Sequence, residues 1–346
     1  MAKRKKQQPA PAPAPAIQKQ MSFSVGVEFG DAERVPCLGA YDGVTDEGDG
    51  YWTPPIDREA LAKLPDIATY HGACLGARAK MVAAGFLRGG GLTPETALAL
   101  AVNFVTFGDV ALLKIRNGFG QVVRLYPLPS VYVRRSTDGK TKLLLRDGVY
   151  KEYAAKDIIF IRQYDTLQQI YGKPDYLGGI QSAMLNSDAT MFRRKYYRNG
   201  AHLGYILYAT DPDLSPEMEK EISEKIEQSK GAGNFRSMFI NIPNGKPDGV
   251  KIIPVGDVAT KDEYVNIKRI SAQDQLTAHR FPPGLAGIIP DNVGGLGDPL
   301  KVRAVYQLDE VWPMQALIEN AINSDSEITR AMQVLFKKPK AIEDEK

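Results

Sequence analysis

The residues able to do chemistry in this chain are few and poorly spaced for catalysis. Histidine stands only at His71, His202 and His279, and cysteine only at Cys37 and Cys74. Two cysteines cannot make a disulfide framework or, without neighbouring ligands, a metal site. The histidines, far apart in sequence, read as partly buried polar side chains rather than ligands. No G-x-x-x-x-G-K-S/T loop is present, which excludes a P-loop motor, and neither a G-x-S-x-G elbow nor an H-E-x-x-H helix occurs. Gly294-Gly295-Leu296-Gly297-Asp298 has enough glycine to approach a phosphate. It follows no strand, however, and lacks the third glycine of the dinucleotide fingerprint, so it reads as a mobile loop. Gly89-Gly90-Gly91 likewise reads as a flexible turn, because no Lys-Ser/Thr follows it. Asp157, Asp165 and Asp175 are hard oxygen donors of the kind Mg²⁺ takes, yet their spacing matches no cation loop. Asp262 and Glu263 are explained by a helix start. The sequence therefore assigns no catalytic residue, no metal ligand and no cofactor.

Binding remains. The net charge of +3 over 346 residues is too small for a protein that coats phosphate with lysine and arginine. Any DNA contact must be weak or built by repeating subunits. With 43% hydrophobic residues the chain can bury one large or two medium cores. It has no run approaching the roughly 18 apolar residues of a membrane helix and no apolar signal core, so synthesis in the cytoplasm and no membrane partner are expected. Residues 1–20, a basic run at Lys3 to Lys6 followed by alternating Pro and Ala, read as an extended tail.

The elements that would position a binding surface follow from periodicity. Helical spacing runs from Asp57 to Phe107, with Tyr70, Cys74, Ala77 and Met81 as a stripe, Thr93 as an N-cap and Pro94 at the first helical position. Short strands separated by turn residues follow at Val110 to Ile115, Val122 to Tyr126, Val131 to Arg134, Leu143 to Leu145 and Ile158 to Ile161, read as one β-meander. A helix of roughly 22 residues, about 33 Å long, begins near Gly178 with Leu185, Ala189, Phe192 and Tyr196 as its apolar stripe. It ends on Arg193, Arg194, Lys195 and Arg198 before Asn199-Gly200. A β-α-β unit spans 203–254, its helix opened by Ser215 and Pro216 and closed by Gly231. A second long helix runs from Lys261 to Arg280 with only Tyr264, Ile267 and Ile270 as apolar stripe, so most of it must meet water, a neighbouring subunit or a channel. Pro282-Pro283 stops it. The glycine-rich loop 284–299 leads into a helix from Leu300 to Ile322 that Pro313 should kink, and the end from Lys337 should fray.

Three stretches then carry a family likeness. The first is Phe107-Gly108-Asp109, Lys114-Ile115-Arg116-Asn117, Gly120 and Leu125-Tyr126-Pro127-Leu128-Pro129. The second is Tyr171-Gly172 with Pro174, Leu177 and Gly178, then Tyr196-Tyr197-Arg198-Asn199-Gly200-Ala201 with Gly204 and Ile206. The third is Asp274 through His279-Arg280-Phe281-Pro282-Pro283, then Gly287-Ile288 and Asn292 to Gly297. Together they resemble tailed-phage portal proteins, in particular the short portals of temperate contractile-tailed phages. The resemblance covers about Tyr51 to Ile322.

It implies an α+β portal architecture. A flexible tail and lead-in (1–50) precede a mixed α/β wing (51–177), stem helices at 178–201 and 260–283, and a β-α-β clip (202–259) between them. A tunnel loop (284–299), a kinked C-terminal helix (300–325) and a tail (326–346) follow, with any crown short or absent. It also implies a ring of typically twelve subunits at one capsid vertex that nucleates head assembly, docks the large terminase subunit, passes double-stranded DNA and joins head to tail. Capsid, scaffold and head-completion proteins would then be partners, and the virion its final location. On this reading Lys261, Lys268, Arg269, Asn292, Gly294, Gly295 and Lys301 approach DNA, while Glu217, Glu219, Lys220 and Glu221 of the clip face the terminase or connector. The competing classes are a nucleotide-dependent enzyme using the glycine loop, expected as a compact monomer or dimer, and another head-tail connector.

Overall fold

In the computed structural model, residues 44–46, 48–145, 149–198, 205–209, 220, 238–241, 250–254, 260–286 and 298–339 are described. After the short strand β1 (Tyr51–Trp52), Asp57 caps α1 (Arg58–Ile67) by accepting from the backbone of Glu59 and Ala60. Helix α2 (Thr69–Ala84) and strand β2 (Phe86–Arg88) follow. The expected cap at Thr93 is present as a reciprocal pair with Thr96, and Pro94 opens α3 (Pro94–Phe107). Gly108 ends α3 at φ 73°, a left-handed cap that glycine adopts without steric cost.

The strand region is two sheets rather than one meander. Strand β3 (Asp109–Arg116) is flanked antiparallel by β4 (Val122–Pro127) and, after a long excursion, by β8 (Ile158–Arg162). The excursion makes the second sheet, in the order β1, β5 (Val133–Ser136), β6 (Thr141–Leu144) and β7 (Tyr150–Tyr153). Alternation shows that a strand exists but not which strand it joins, because pairing is decided by burial on both faces. Strand β7, Tyr-Lys-Glu-Tyr, has no apolar run and no sequence signal.

Two long helices follow: α4 (Ile180–Arg198), entered through a 3₁₀ turn at Leu177–Gly179, and α5 (Thr260–Ala278). Between them β9 (Tyr205–Ala209) pairs parallel with β10 (Met238–Asn241) and antiparallel with β11 (Val250–Pro254). A parallel pair requires a crossover connection. The expected clip helix lies outside the described residues except Lys220, which is helical and exposed. Helix α6 (Pro299–Tyr306) continues through a π-helical segment (Gln307–Val311) into α7 (Trp312–Asn323), so the expected break near Pro313 falls one turn before that proline.

The main core gathers Leu64, Leu100, Phe104, Leu112, Ile161 and Ile318 from α1, α3, β3, β8 and α7. Residues 326–339, read from sequence as the start of a tail, are part of it through position 336. Ile328, Val334 and Phe336 are buried, and β12 (Leu335–Phe336) pairs with β2. The glycine stretch is a close crossing, not a flexible turn: a side chain at Gly89 would meet the Gln333 carbonyl at 2.0 Å, and one at Gly91 the Val123 carbonyl at 2.7 Å.

Charge inside this core is paired. Arg58 donates to both Asp109 oxygens at 2.9 and 2.5 Å and to the Ser130 carbonyl at 2.8 Å, with Tyr171 and Phe107 rings beside it. Buried Lys114 reaches Asp325 at 2.6 Å and Glu327 at 2.8 Å, tying the C-terminal segment to β3. Removing one partner of a buried pair strands the other in low dielectric. Asp109→Ala is therefore expected to cost about 3–5 kcal/mol in equilibrium denaturation, and Arg58→Met with Asp109→Leu to recover much of it. An Asp109→Ala midpoint equal to wild type would remove the pair from the account.

Candidate DNA-facing hairpin and its buried polar root

Helices α4 and α5 form an antiparallel hairpin held by small and polar residues. The buried positions of α4 among the described side chains are Ile180, Ala183, Asn186 and Ala189; of the expected stripe only Ala189 is among them, Phe192 and Tyr196 being half-buried and Leu185 49% exposed. On α5 they are Ser271, Ala272, Gln275 and Leu276, whereas Ile270 of the expected stripe is 55% exposed. Asn186 donates to Ser271 Oγ at 2.8 Å and to the Lys268 carbonyl at 3.2 Å, and Ser182 donates to Asp274 at 2.9 Å. A side chain at Gly179 would come within 2.5 Å of Ala278 Cβ. Hydrophobic periodicity does not mark this face, because small size and hydrogen bonding decide the contact.

Of the residues expected near DNA, the structure places Lys261, Lys268 and Arg269 on α5, with Lys261 two turns before Lys268. Lys301 is exposed in the first turn of α6. Asn292, Gly294 and Gly295 lie outside the described residues, as do Glu217, Glu219 and Glu221. Arg269 is exposed. Lys268 is half-buried, and its pKa is lowered first by desolvation and then by the neighbouring guanidinium of Arg193 on α4. The hairpin thus brings the basic end of α4 against the basic stretch of α5.

At its root the hairpin enters a buried polar cluster that sequence spacing did not reveal. The buried face of α2 includes His71 and Arg78 beside Cys74, Leu75 and Val82. Arg78, fully buried, donates through both terminal nitrogens to Asp175, and through Nη1 to His279 Nδ1 at 3.2 Å. Because an arginine only donates, His279 Nδ1 accepts, which puts the neutral ring's proton on Nε2. His279 Nε2 then donates to His71 Nδ1, 2.9 Å away, leaving the His71 proton on Nε2, which is buried without a protein partner among the described residues. The Tyr176 ring stacks on His279 with centroids 5.1 Å apart, and its hydroxyl donates to the Thr106 carbonyl. Gln275 Oε1 accepts from the His71 backbone at 2.9 Å. The three carboxylates that the sequence offered as hard oxygen donors are engaged by the protein itself: Asp175 with Arg78, Asp157 with Arg116, and Asp165 with the Leu167 amide and Gln168.

The end of α5 is bound to this cluster. Phe281 N–H donates to the Leu276 carbonyl at 2.8 Å and Arg280 N–H to that of Thr277 at 2.9 Å, a Schellman closure that puts Arg280 at φ 51°. A non-glycine residue costs about 1 kcal/mol or more there. The Arg280 guanidinium lies 3.5 Å from Asp175 and 3.3 Å from Glu310, so the strained position carries an ion-pair bridge. The three sequence stretches of the family likeness meet in space: a side chain at Gly172 would strike the Gly108 carbonyl at 2.0 Å, Gly172 N–H donates to Asp109, and Asp175 holds both Arg78 and Arg280.

Burial lowers His71 to about 4 and His279 further, with Arg78 opposing protonation of both, so both rings are neutral in the fold. Burial also pushes the Cys74 thiol up to about 12. Unfolded histidine titrates near 6.5. As pH falls through the window from 6.5 to about 4 the unfolded chain takes protons that the fold refuses, and stability falls. The expected loss is on the order of 1 kcal/mol per pH unit for each histidine, measured by denaturant unfolding from about pH 7.5 to about pH 4.5. His71→Gln with His279→Gln should flatten this dependence, and an unchanged slope would show that other groups set it.

Comparison with known proteins agrees with this geometry. The phage portal protein family model matches residues 95–294. The chain is 58% identical over 298 residues to a probable portal protein of Haemophilus phage HP1, covering 84% of this chain and 86% of that one. It is 37% identical over 274 residues to a probable portal protein of Escherichia phage P2, covering 77% of each. Among solved structures, the fold resembles a chain in the neck of an empty gene transfer agent particle computed with C6 symmetry, at TM-score 0.59 and 17% identity over 84% of this chain and 85% of that one. It also resembles an HK97 family phage portal protein from Corynebacterium diphtheriae, at TM-score 0.52 and 16% identity over 79% and 95%. Among the described residues no helix is long and apolar enough to cross a membrane. With its α+β fold, its motifs and close relatives in agreement, the chain belongs to the phage portal protein family, structural components of the virion rather than enzymes.

Proposed function

We propose that copies of this chain close head-to-tail into a ring of twelve at one capsid vertex. There the ring nucleates head assembly, docks the large terminase subunit, passes DNA inward and later outward, and joins head to tail. The observation that carries the ring is the outer surface of the hairpin: Leu185, Val265 and Ile270 are 49%, 60% and 55% exposed on helices whose inner contact is already complete. A head-to-tail contact that returns on itself covers such a face in every copy. The number twelve is supported by the chain's likeness, at TM-score 0.58 and 18% identity, to one in the neck of a native gene transfer agent particle computed with C12 symmetry.

On this reading 51–177 is the wing, 178–201 and 260–283 the stem, 202–259 the clip, 284–299 the tunnel loop and 300–325 the kinked helix. Repetition turns Lys261, Lys268, Arg269 and Lys301 into rings of positive charge, joined by Asn292, Gly294 and Gly295 of the tunnel loop. The modest net charge keeps the sum weak, since each neutralised phosphate adds salt-sensitive affinity that would arrest sliding. Glu217, Glu219, Lys220 and Glu221 present a charged clip surface to the terminase and the head-completion proteins.

Light scattering on a sizing column with particle imaging is expected to show annular particles, and Leu185→Asp with Val265→Asp to leave folded monomers. A wild-type chain that stays small under every assembly condition overturns the ring. Lys268→Gln with Arg269→Gln is expected to leave rings intact and to lower the DNA packaged per particle; monomers from that variant would move these charges from the channel to the subunit contact.

A further inference from the structure

The wing carries a pair of arginines that its own carboxylates do not balance. Arg135 of β5 and Arg162 at the end of β8 face one open pocket of about 520 Å³ where the two sheets adjoin. Trp52, Thr137, Phe160 and Gln169 are among the other residues that line it. Three nearby cations are answered by carboxylates: Arg58 by Asp109, Lys114 by Asp325 and Glu327, and Arg116 by Asp157 and Glu327, while Arg134 is satisfied by the Val131 and Val133 carbonyls. No carboxylate among the described residues forms an ion pair with Arg135 or Arg162. Burial lowers the pKa of Arg135, and the like charge of Arg162 lowers it further against the opposing effects of Tyr171 and Asp109.

Arg135 is also fixed in place. Its guanidinium lies 4.7 Å above the Phe160 ring centre, its Nη1 donates to Thr141 Oγ1 at 2.8 Å, and its backbone N–H donates to the Tyr171 hydroxyl at 2.9 Å. A preorganised guanidinium with unused N–H groups beside a second one, over aromatic walls, is suited to bidentate capture of an oxyanion. The small size of the recess decides which kind. A duplex about 20 Å across cannot enter such a recess, and sequence-blind phosphate binding uses extended tracks of charge. One or two carboxylates on a peptide, with an apolar side chain against Trp52 and Phe160, match both the charge and the walls.

We propose that the Arg135–Arg162 pocket is a docking site for an acidic peptide segment of another virion protein. It is independent of the hairpin and of any ring contact there. The probe is a fluorescein-labelled peptide Glu-Glu-Phe-Glu, titrated into the assembled wild-type protein and followed by anisotropy, beside its Gln-Gln-Phe-Gln counterpart. The acidic peptide is expected to bind in a salt-sensitive manner and the neutral one not to bind. Arg162→Gln, a change at an exposed side chain, should weaken binding about tenfold or more with an unchanged thermal midpoint. Arg135→Lys, which keeps the charge and loses the fork, should also weaken it. Equal binding by the neutral peptide, full affinity in Arg162→Gln, or competition by inorganic phosphate or a DNA duplex as strong as the unlabelled peptide's would each overturn the proposal.

Discussion

A guanidinium taken wholly out of water costs several kcal/mol unless a carboxylate goes with it, and Arg78 is wholly out of water. That cost dictates much of the arrangement around it. Asp175 must lie against α2, which fixes the course of the 171–176 segment and so the point from which α4 departs. His279 must end α5 within reach of the same arginine, which fixes where the second long helix returns. Arg280 pays local strain to bring one more cation to Asp175 and to reach Glu310 at the π-helical turn. Four separate pieces of chain are thus registered on one buried charge, with Tyr176 and the histidine pair filling the space around it.

The hairpin above this root is built on a different principle. Its inner face is alanine, serine, asparagine and glutamine, which allows close approach and lets polar groups satisfy one another along the seam. Such packing buries little apolar area, so the pair gains modestly from the hydrophobic effect and is anchored chiefly at its base. Ile180 and Leu276 are buried near the root, but beyond it Leu185, Val265 and Ile270 are turned outward, an arrangement that makes sense for a part completed by neighbours.

Residues 51–177 are built the other way: two small sheets and three helices enclose a conventional apolar core, and the buried Arg58 and Lys114 are each paired with carboxylates. Against that background Arg135 and Arg162, which share one pocket and have no ion pair among the described residues, are the feature on which the proposed acidic-peptide site rests. Portal family membership explains the fold and the outward hairpin, and leaves that pocket unexplained.

From the sequence alone came the family, the α+β class, the two long helices, the Thr93 cap, most strands and the broken C-terminal helix. All of these are local signals: periodicity, capping residues, turn residues and motifs. The two-sheet pairing, the small-residue seam of α4 and α5, the packing of residues 328–336 and the joining of His71, Arg78, Asp175 and His279 were decided only in three dimensions. Each is a contact between groups distant in the chain, and a lone histidine or arginine in a helix carries no local mark of the partner that makes its burial tolerable.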